Sequence, residues 1–280
     1  MQIGVMVDSF RVSLEEGLRK SAALGATGIQ IAATLGDMAP ENLSTAKRKE
    51  ILAKIKDYGL LVSAVCGDLG GHGFLDPQEN TWKIEKSKRI IDLAREWETD
   101  VVTTHVGIIP EDPKHPNYII MQDVCQELAS YGAQVGATFA IETGSETAPV
   151  LRAFLDGLHD KGVGVNYDPA NLMMVVGQDP ATGVHELKDY IVHTHAKDGR
   201  MLRYVGAEYV YGQASAGRIE DDSPVFLEVP LGEGQVNFPF YLNALRDIGY
   251  DGFLTIEREV GDDPEKDIGQ AVQFLQTLLK

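Results

Sequence analysis

Cysteine, positive charge and long apolar runs are all scarce in this chain. Cys66 and Cys125 are the only cysteines in 280 residues, too few for the disulfide framework of a small secreted domain. Both are expected to be reduced thiols in a cytoplasmic protein. Lysine and arginine number 25 against 42 aspartates and glutamates, a formal charge of −17. Nucleic-acid binding draws most of its affinity from basic side chains on phosphates, so this average field opposes such a partner. No stretch reaches the roughly 18 apolar residues of a membrane-spanning helix. The opening run Met1 to Val7 is short, lacks a basic lead and meets Asp8 at once, which argues against a targeting signal. With 44% hydrophobic and 24% charged residues, the composition also excludes disordered and collagen-like chains.

What is present is a rhythm. Amphipathic stretches end near a glycine, and a short β-rich run follows. The pattern occurs at Leu24-Gly25 before Ile29-Gln30-Ile31, at Tyr58-Gly59 before Leu60 to Val65, and at Val135-Gly136 before Phe139-Ala140-Ile141. It returns at Lys161-Gly162 before Val163-Gly164-Val165 and at Ile248-Gly249 before Phe253 to Ile256. Glycine suits the left-handed residue that closes a helix. Nearly continuous apolar runs suit strands covered on both faces, as in parallel sheets. Val101 to His105, Ile191 to His195 and the opening Gln2 to Asp8 bring the strands to eight.

Helices are expected at Ser44 to Tyr58, Lys83 to Trp97, Pro239 to Ile248, and from Asp263-Pro264 to Leu279. In the last, Asp263 is a capping residue and Pro264 suits the first helical position. Eight strand–helix units predict an α/β fold: a (β/α)₈ TIM barrel, with residues 1–280 as one domain. The open doubly wound alternative carries a glycine-rich phosphate turn after strand one, whereas this chain has Asp8-Ser9-Phe10-Arg11 there. One connection is long. Residues 199–238 are expected to form an ordered excursion over the C-terminal mouth, since connections of that length are functional or disordered.

In such a barrel, chemistry sits at the C-terminal strand ends. Strand two offers little there. Strands five to eight each offer an acid or a histidine at similar depth: Glu142, Asp168, His195 and Glu257. Taken singly, a strand-end glutamate is an ordinary loop ion pair and a lone histidine is a hydrogen-bonded core residue. Together, three carboxylates in one pocket repel each other and suffer desolvation unless a cation sits among them. One imidazole and three carboxylates suit one divalent metal ion (Mn²⁺, Zn²⁺, Co²⁺ or Mg²⁺) and lack the thiolates of a structural zinc site. Alternation also turns His105 and Lys197 inward, as candidate substrate contacts. Asn171 is a candidate for the Asp168 turn or for substrate. His193 lies one pair deeper than His195, as a supporting, core or substrate-binding residue.

The runs Ala140-Ile141-Glu142-Thr143-Gly144, Tyr167-Asp168-Pro169-Ala170-Asn171, His193-Thr194-His195-Ala196-Lys197-Asp198, Pro230-Leu231-Gly232-Glu233-Gly234 and Gly252 to Glu257 resemble the xylose-isomerase-like TIM-barrel sugar phosphate isomerase/epimerase superfamily, over essentially the whole chain. The resemblance implies that Glu142, Asp168, His195 and Glu257 hold one cation, commonly Mn²⁺, and that Glu142 and Glu257 double as proton-transfer groups. The implied activity is a divalent-metal-dependent isomerase or epimerase of a small sugar, ketose or inosose, phosphorylated or not. Proton transfer would pass through a metal-stabilised enediolate. The alternative is a metal-dependent dehydratase on an inosose-like substrate. A non-catalytic metal- and sugar-binding barrel and an endonuclease IV-like nuclease are weaker. That nuclease needs a histidine-rich three-metal cluster and a DNA surface, against seven histidines and a charge of −17 here. The expected partner is a small-molecule carbohydrate, with no nucleic acid and no membrane; the oligomeric state stays open between monomer and homodimer.

Overall fold

The short apolar runs pair edge to edge in parallel and close on themselves. The computed structural model describes residues 1–213 and 223–280. Its strands are β1 (Gln2–Met6), β2 (Gly28–Ala32), β3 (Leu61–Cys66), β4 (Val101–Thr104), β5 (Thr138–Glu142), β6 (Val163–Tyr167), β7 (Ile191–Ala196), β8 (Asp198–Met201), β9 (Phe226–Val229) and β10 (Phe253–Ile256). The first seven follow chain order around the barrel, and β10 closes it between β7 and β1. The closing register runs from Gln2 opposite Phe253 to Val5 opposite Ile256. This is the expected (β/α)₈ architecture.

The helices are α1 (Leu14–Leu24), α2 (Thr45–Asp57), α3 (Pro77–Glu96), α4 (Pro116–Val135), α5 (Ala148–Asp156), α6 (Pro169–Asn171), α7 (Pro180–Glu186), α8 (Ala207–Val210), α9 (Phe238–Asp247) and α10 (Pro264–Leu278). Many open alike: an oxygen or ring nitrogen on the capping side chain accepts a backbone N–H of the first turn, and proline follows. Asp76, His115, Asp168, Asp179 and Asp263 all cap in this way. The helix expected from Lys83 therefore begins earlier, at Pro77, because Asp76-Pro77 satisfies and pre-shapes its first turn. No helix among the described residues is long and apolar enough to cross a membrane.

The apolar core lies between strands and helices. Val5, Ile29, Val102, Phe139, Val165 and Leu254 face outward onto Leu18, Ile55, Ile90, Leu128, Phe154, Leu245 and Leu275, all buried. The barrel interior is different. Gln30 donates to Thr103 across the lumen, Ser63 meets Thr255, and His193 bridges Asn166 and Thr255. Polar side chains filling a small barrel satisfy one another by such pairings.

The long connection contains an antiparallel pair, β8 against β9, with Asp198 opposite Val229 and Met201 opposite Phe226. Asp198 anchors it. Its carboxylate accepts the backbone N–H groups of Gly199, Gly232, Gly234 and Val236. A Cβ on Gly234 would lie 2.0 Å from Asp198 Oδ1, which explains glycine in that turn. Within the 199–238 excursion, residues 214–222 lie outside the described residues.

The expected left-handed glycines are found at Gly25, Gly59, Gly136 and Gly249, all with positive φ. Gly162 is the exception and corrects the expectation. Its φ is not positive; it is needed because a Cβ would lie 2.0 Å from the Ala129 carbonyl oxygen in α4. Two backbones that meet so closely cannot give way cheaply. Gly162→Ala is expected to destabilise the fold by about 1–3 kcal/mol. Urea unfolding should show this, while Gly59→Ala, with open space around its Cβ, should lose about 1–2 kcal/mol through its left-handed backbone conformation alone.

Candidate functional site

The four strand-end residues, at β5, β6, β7 and β10, converge. Glu142 ends β5, Asp168 caps α6 directly after β6, His195 stands near the end of β7, and Glu257 follows β10. One donor atom from each lies within 4.8 Å of all the others. His195 Nδ1 is 3.4 Å from Asp168 Oδ2, 3.5 Å from Glu257 Oε2 and 3.7 Å from Glu142 Oε1.

Each side chain is also held by at least one hydrogen bond from outside the cluster. Asp168 Oδ1 accepts the N–H groups of Ala170 and Asn171, leaving Oδ2 for the cluster. His195 Nε2 is 3.1 Å from Gln30 Oε1. That amide oxygen can only accept, so Nε2 donates to it, and Nδ1 is left facing the carboxylates of Asp168, Glu257 and Glu142. Glu142 accepts from Asn166 Nδ2 at 3.1 Å and Asn171 Nδ2 at 2.9 Å. Glu257 accepts from Lys197 Nζ at 2.9 Å. Two atoms are left over: Asp168 Oδ2 and His195 Nδ1 are buried with no hydrogen-bond partner. Orphaned buried polar atoms are rare, and here they face each other.

The donor set suits a divalent cation. It offers three carboxylate oxygens and one imidazole nitrogen whose other nitrogen is held by an acceptor, the usual support of a metal-bound histidine. Cys66 lines the same cavity, but burial pushes its thiol up to about 12, so it offers no thiolate.

A cavity of about 270 Å³ opens beside the cluster, lined among others by His105, Lys197, Glu228, Tyr211 and Phe226. His105 and Lys197 are thus where alternation placed them, but neither is unattached. His105 Nδ1 is 3.1 Å from Asp68 Oδ2, and its Nε2 is 3.7 Å from Glu142 Oε1. Burial alone would depress the imidazole; the carboxylates of Glu142 and Asp68 outweigh it and lift it to about 9. Lys197 Nζ lies 2.6 Å from Glu259 as well as 2.9 Å from Glu257. Asn171 closes the Asp168 turn with its backbone, as expected, and its side chain holds Glu142.

His193 does not belong to this cavity, which corrects its candidacy as a substrate contact. It lies beneath His195, edge to face at 5.7 Å between ring centres. Its nitrogens are taken by Asn166 and Thr255, and burial drives its pKa well down. It supports Asn166 and, through it, Glu142.

Sequence reading passed over Gln30, Asn166, Asp68 and the Glu228–Arg258 pair. Gln30 had a visible signal: one amide inside the apolar run Gly28-Ile29-Gln30-Ile31. Glu228 comes from β9 and accepts Arg258 Nη1 at 2.6 Å, and Arg258 Nε reaches Asp267 at 2.9 Å. Nothing local in the sequence announces that pairing.

The chain matches the xylose isomerase-like TIM barrel family over residues 18–278 and belongs to it. MJ1311, an uncharacterised protein of Methanocaldococcus jannaschii, is 25% identical over 190 residues, which are 63% of this chain and only 56% of that relative's length. A xylose isomerase domain protein from Planctomyces limnophilus is 26% identical with a TM-score of 0.80, covering 99% of this chain and 96% of that one. A D-tagatose 3-epimerase-like protein is 21% identical with a TM-score of 0.75, covering 100% and 98%; at that identity the likeness establishes the fold.

A further acid, Glu146, sits four residues beyond Glu142 and is buried, with Oε1 lacking any partner. Desolvation lifts its carboxyl from 4.5 to about 8, against smaller opposing effects from the Ile109 N–H and His105. The folded chain thus holds this proton more tightly than the unfolded chain does. The associated stability is present below about pH 4.5 and is lost as pH rises towards about 8. Glu146→Gln, which cannot ionise, is expected to lose about 2–5 kcal/mol less stability than wild type between those limits. Urea unfolding of both proteins at pH 5 and pH 8 measures the difference; parallel losses would contradict the assignment.

Proposed function

We propose that the protein is a divalent-metal-dependent isomerase or epimerase of a small sugar, ketose or inosose, with Glu142, Asp168, His195 and Glu257 as ligands. The observation that carries this reading is the pair of orphaned, buried donors, Asp168 Oδ2 and His195 Nδ1, 3.4 Å apart between two glutamates. Bound among them, a divalent cation would supply Lewis-acid chemistry, stabilising negative charge on the neighbouring oxygens of a hydroxyketone.

The rest falls to the chain. Glu142 and Glu257 come from strands on different sides of the cluster, so their carboxylates approach a substrate carbon from different directions. One takes the proton next to the carbonyl and the other returns one. Return to the opposite side of the same carbon epimerises; return to the adjoining carbon isomerises. Asn166 and Asn171 hold Glu142 by neutral donors, whereas Lys197 holds Glu257 by a charged one. His105, steadied by Asp68, presents Nε2 beside Glu142 and can donate to a substrate oxygen. The excursion supplies Val210, Tyr211 and Phe226 as an apolar cover that keeps water from the reacting carbon. A membership of the xylose isomerase-like family and the D-tagatose 3-epimerase-like neighbour agree with this chemistry.

The test is solvent exchange. Mn²⁺-loaded protein, incubated in D₂O with D-fructose, D-tagatose, D-psicose and 2-keto-myo-inositol, is expected to place deuterium on a carbon next to the carbonyl of at least one of them. Glu142→Gln and Glu257→Gln should each slow that exchange by about 10²–10⁴-fold. Loss of water from the substrate mass would redirect the reading to a dehydratase. No exchange with any of them would contradict it.

A further inference from the structure

We infer that a second cavity beside the barrel mouth binds a protonated organic amine, an ammonium group carried on an apolar body, with Glu146 as its anchor. The inference stands apart from the proposed reaction. This cavity, about 660 Å³, shares no lining residue with the one beside the Glu142 cluster among the described residues.

Glu146 belongs to the turn between β5 and α5. That turn passes through Gly144, whose φ is 124° and where a Cβ would lie 2.3 Å from the Asn171 Cβ. The side chain that follows lines the cavity yet is only 7% exposed. Its Oε2 has one long contact, the Ile109 N–H at 3.5 Å, and its Oε1 has no partner. Buried polar groups are normally satisfied, and one that is not costs stability with no return from the fold itself. An ammonium supplies both missing elements: N–H donors for Oε1, and a positive charge that lets the buried carboxyl ionise. An uncharged donor would satisfy Oε1 and leave that charge unmatched.

The walls fit both parts of such a ligand. Glu111 and Asp112, from the connection after β4, and Glu208, from α8, are exposed acids on the same cavity. Their field concentrates cations at its opening. His115 lines it as well, but its Nδ1 accepts the Asn117 N–H as the cap of α4. Ile109, Val150 and Val176 form an apolar wall, against which a hydrocarbon body sheds its water. The size is that of an ordinary small-molecule pocket. α8 and the residue after it serve both cavities: Ala207 and Glu208 line this one, Val210 and Tyr211 the other. An occupant of the second cavity therefore touches the element that covers the first.

The probe is benzylammonium, with benzyl alcohol as its uncharged twin. Both are titrated calorimetrically into the Mn²⁺-loaded full chain at about pH 7, the metal being supplied so that the Glu142 cluster does not compete for the cation. The ammonium is expected to bind at least about tenfold more tightly than the alcohol. Glu146→Gln keeps the shape and removes the charge; it should weaken the ammonium by about tenfold and leave the alcohol within about twofold. Glu208→Gln, at an exposed position that does not threaten the fold, should weaken the ammonium by about threefold. The chain also carries a cation of its own in the excursion, Arg218, outside the described residues. Arg218→Gln separates the two sources: ammonium binding no tighter than in wild type supports a site for a separate ligand, whereas tighter binding shows a site that the chain fills itself and overturns the inference. Equal affinity for ammonium and alcohol, no ammonium binding by about 10 mM, or an affinity that either glutamate substitution leaves unmoved overturns it too, and none of these outcomes touches the proposed reaction.

Discussion

Three carboxylates and an imidazole, with Glu142, Asp168 and His195 buried, Glu257 partly so, and donor atoms within 4.8 Å of one another, form an arrangement that is costly to a folded chain without a cation. Like charges at such separations interact by several kcal/mol even at the screening typical of protein sites, and each also loses its hydration. Lys197 and His105 relieve part of this from the side, through Glu257 and Glu142. They do not reach the centre, where Asp168 Oδ2 and His195 Nδ1 are left without partners. The barrel, the polar lumen and the excursion are best understood as what holds this frustrated cluster in place.

The supports are unequal in kind. On the Glu142 side two neutral amides, Asn166 and Asn171, supply the hydrogen bonds and fix direction, with His105 facing it from 3.7 Å. On the Glu257 side they are ionic and reach far. Lys197 leads to Glu228 on β9, then to Arg258, and then to Asp267 in α10. Among the described residues, the excursion's ionic links thus run to Glu257. Asp198 fixes the excursion's own base by gathering four backbone N–H groups. The chain order Lys197-Asp198 thus places the inward-facing anchor of Glu257 next to the anchor of the cover.

Much of this was legible in the sequence, for a definite reason. In a parallel barrel every C-terminal strand end points to one mouth, so reading the residues at those ends in order is already a spatial statement. Glu142, Asp168, His195 and Glu257 could be named together on that ground. What stayed hidden depends on partners from distant segments. Gln30 looks like an isolated amide until the lumen brings it to His195, 165 residues away in the chain. Glu228 reads as a surface acid until β9 folds back towards Lys197. The depth of His193, by contrast, was legible: two residues before His195 on one strand, it sits one layer beneath it, edge to face at 5.7 Å between ring centres. Gly162 showed the converse: the right residue was noticed for the wrong physical reason, close backbone approach rather than a left-handed turn.

The central claim is that a single cation resolves the charge conflict at the ends of β5, β6, β7 and β10. Anomalous diffraction from crystals soaked in Mn²⁺ tests it most directly. The account predicts one strong peak within about 2–2.4 Å of His195 Nδ1 and of oxygens from Glu142, Asp168 and Glu257, lost in Asp168→Asn. A fully soaked crystal with no peak there, and with Asp168 Oδ2 and His195 Nδ1 bonded to each other instead, would contradict it.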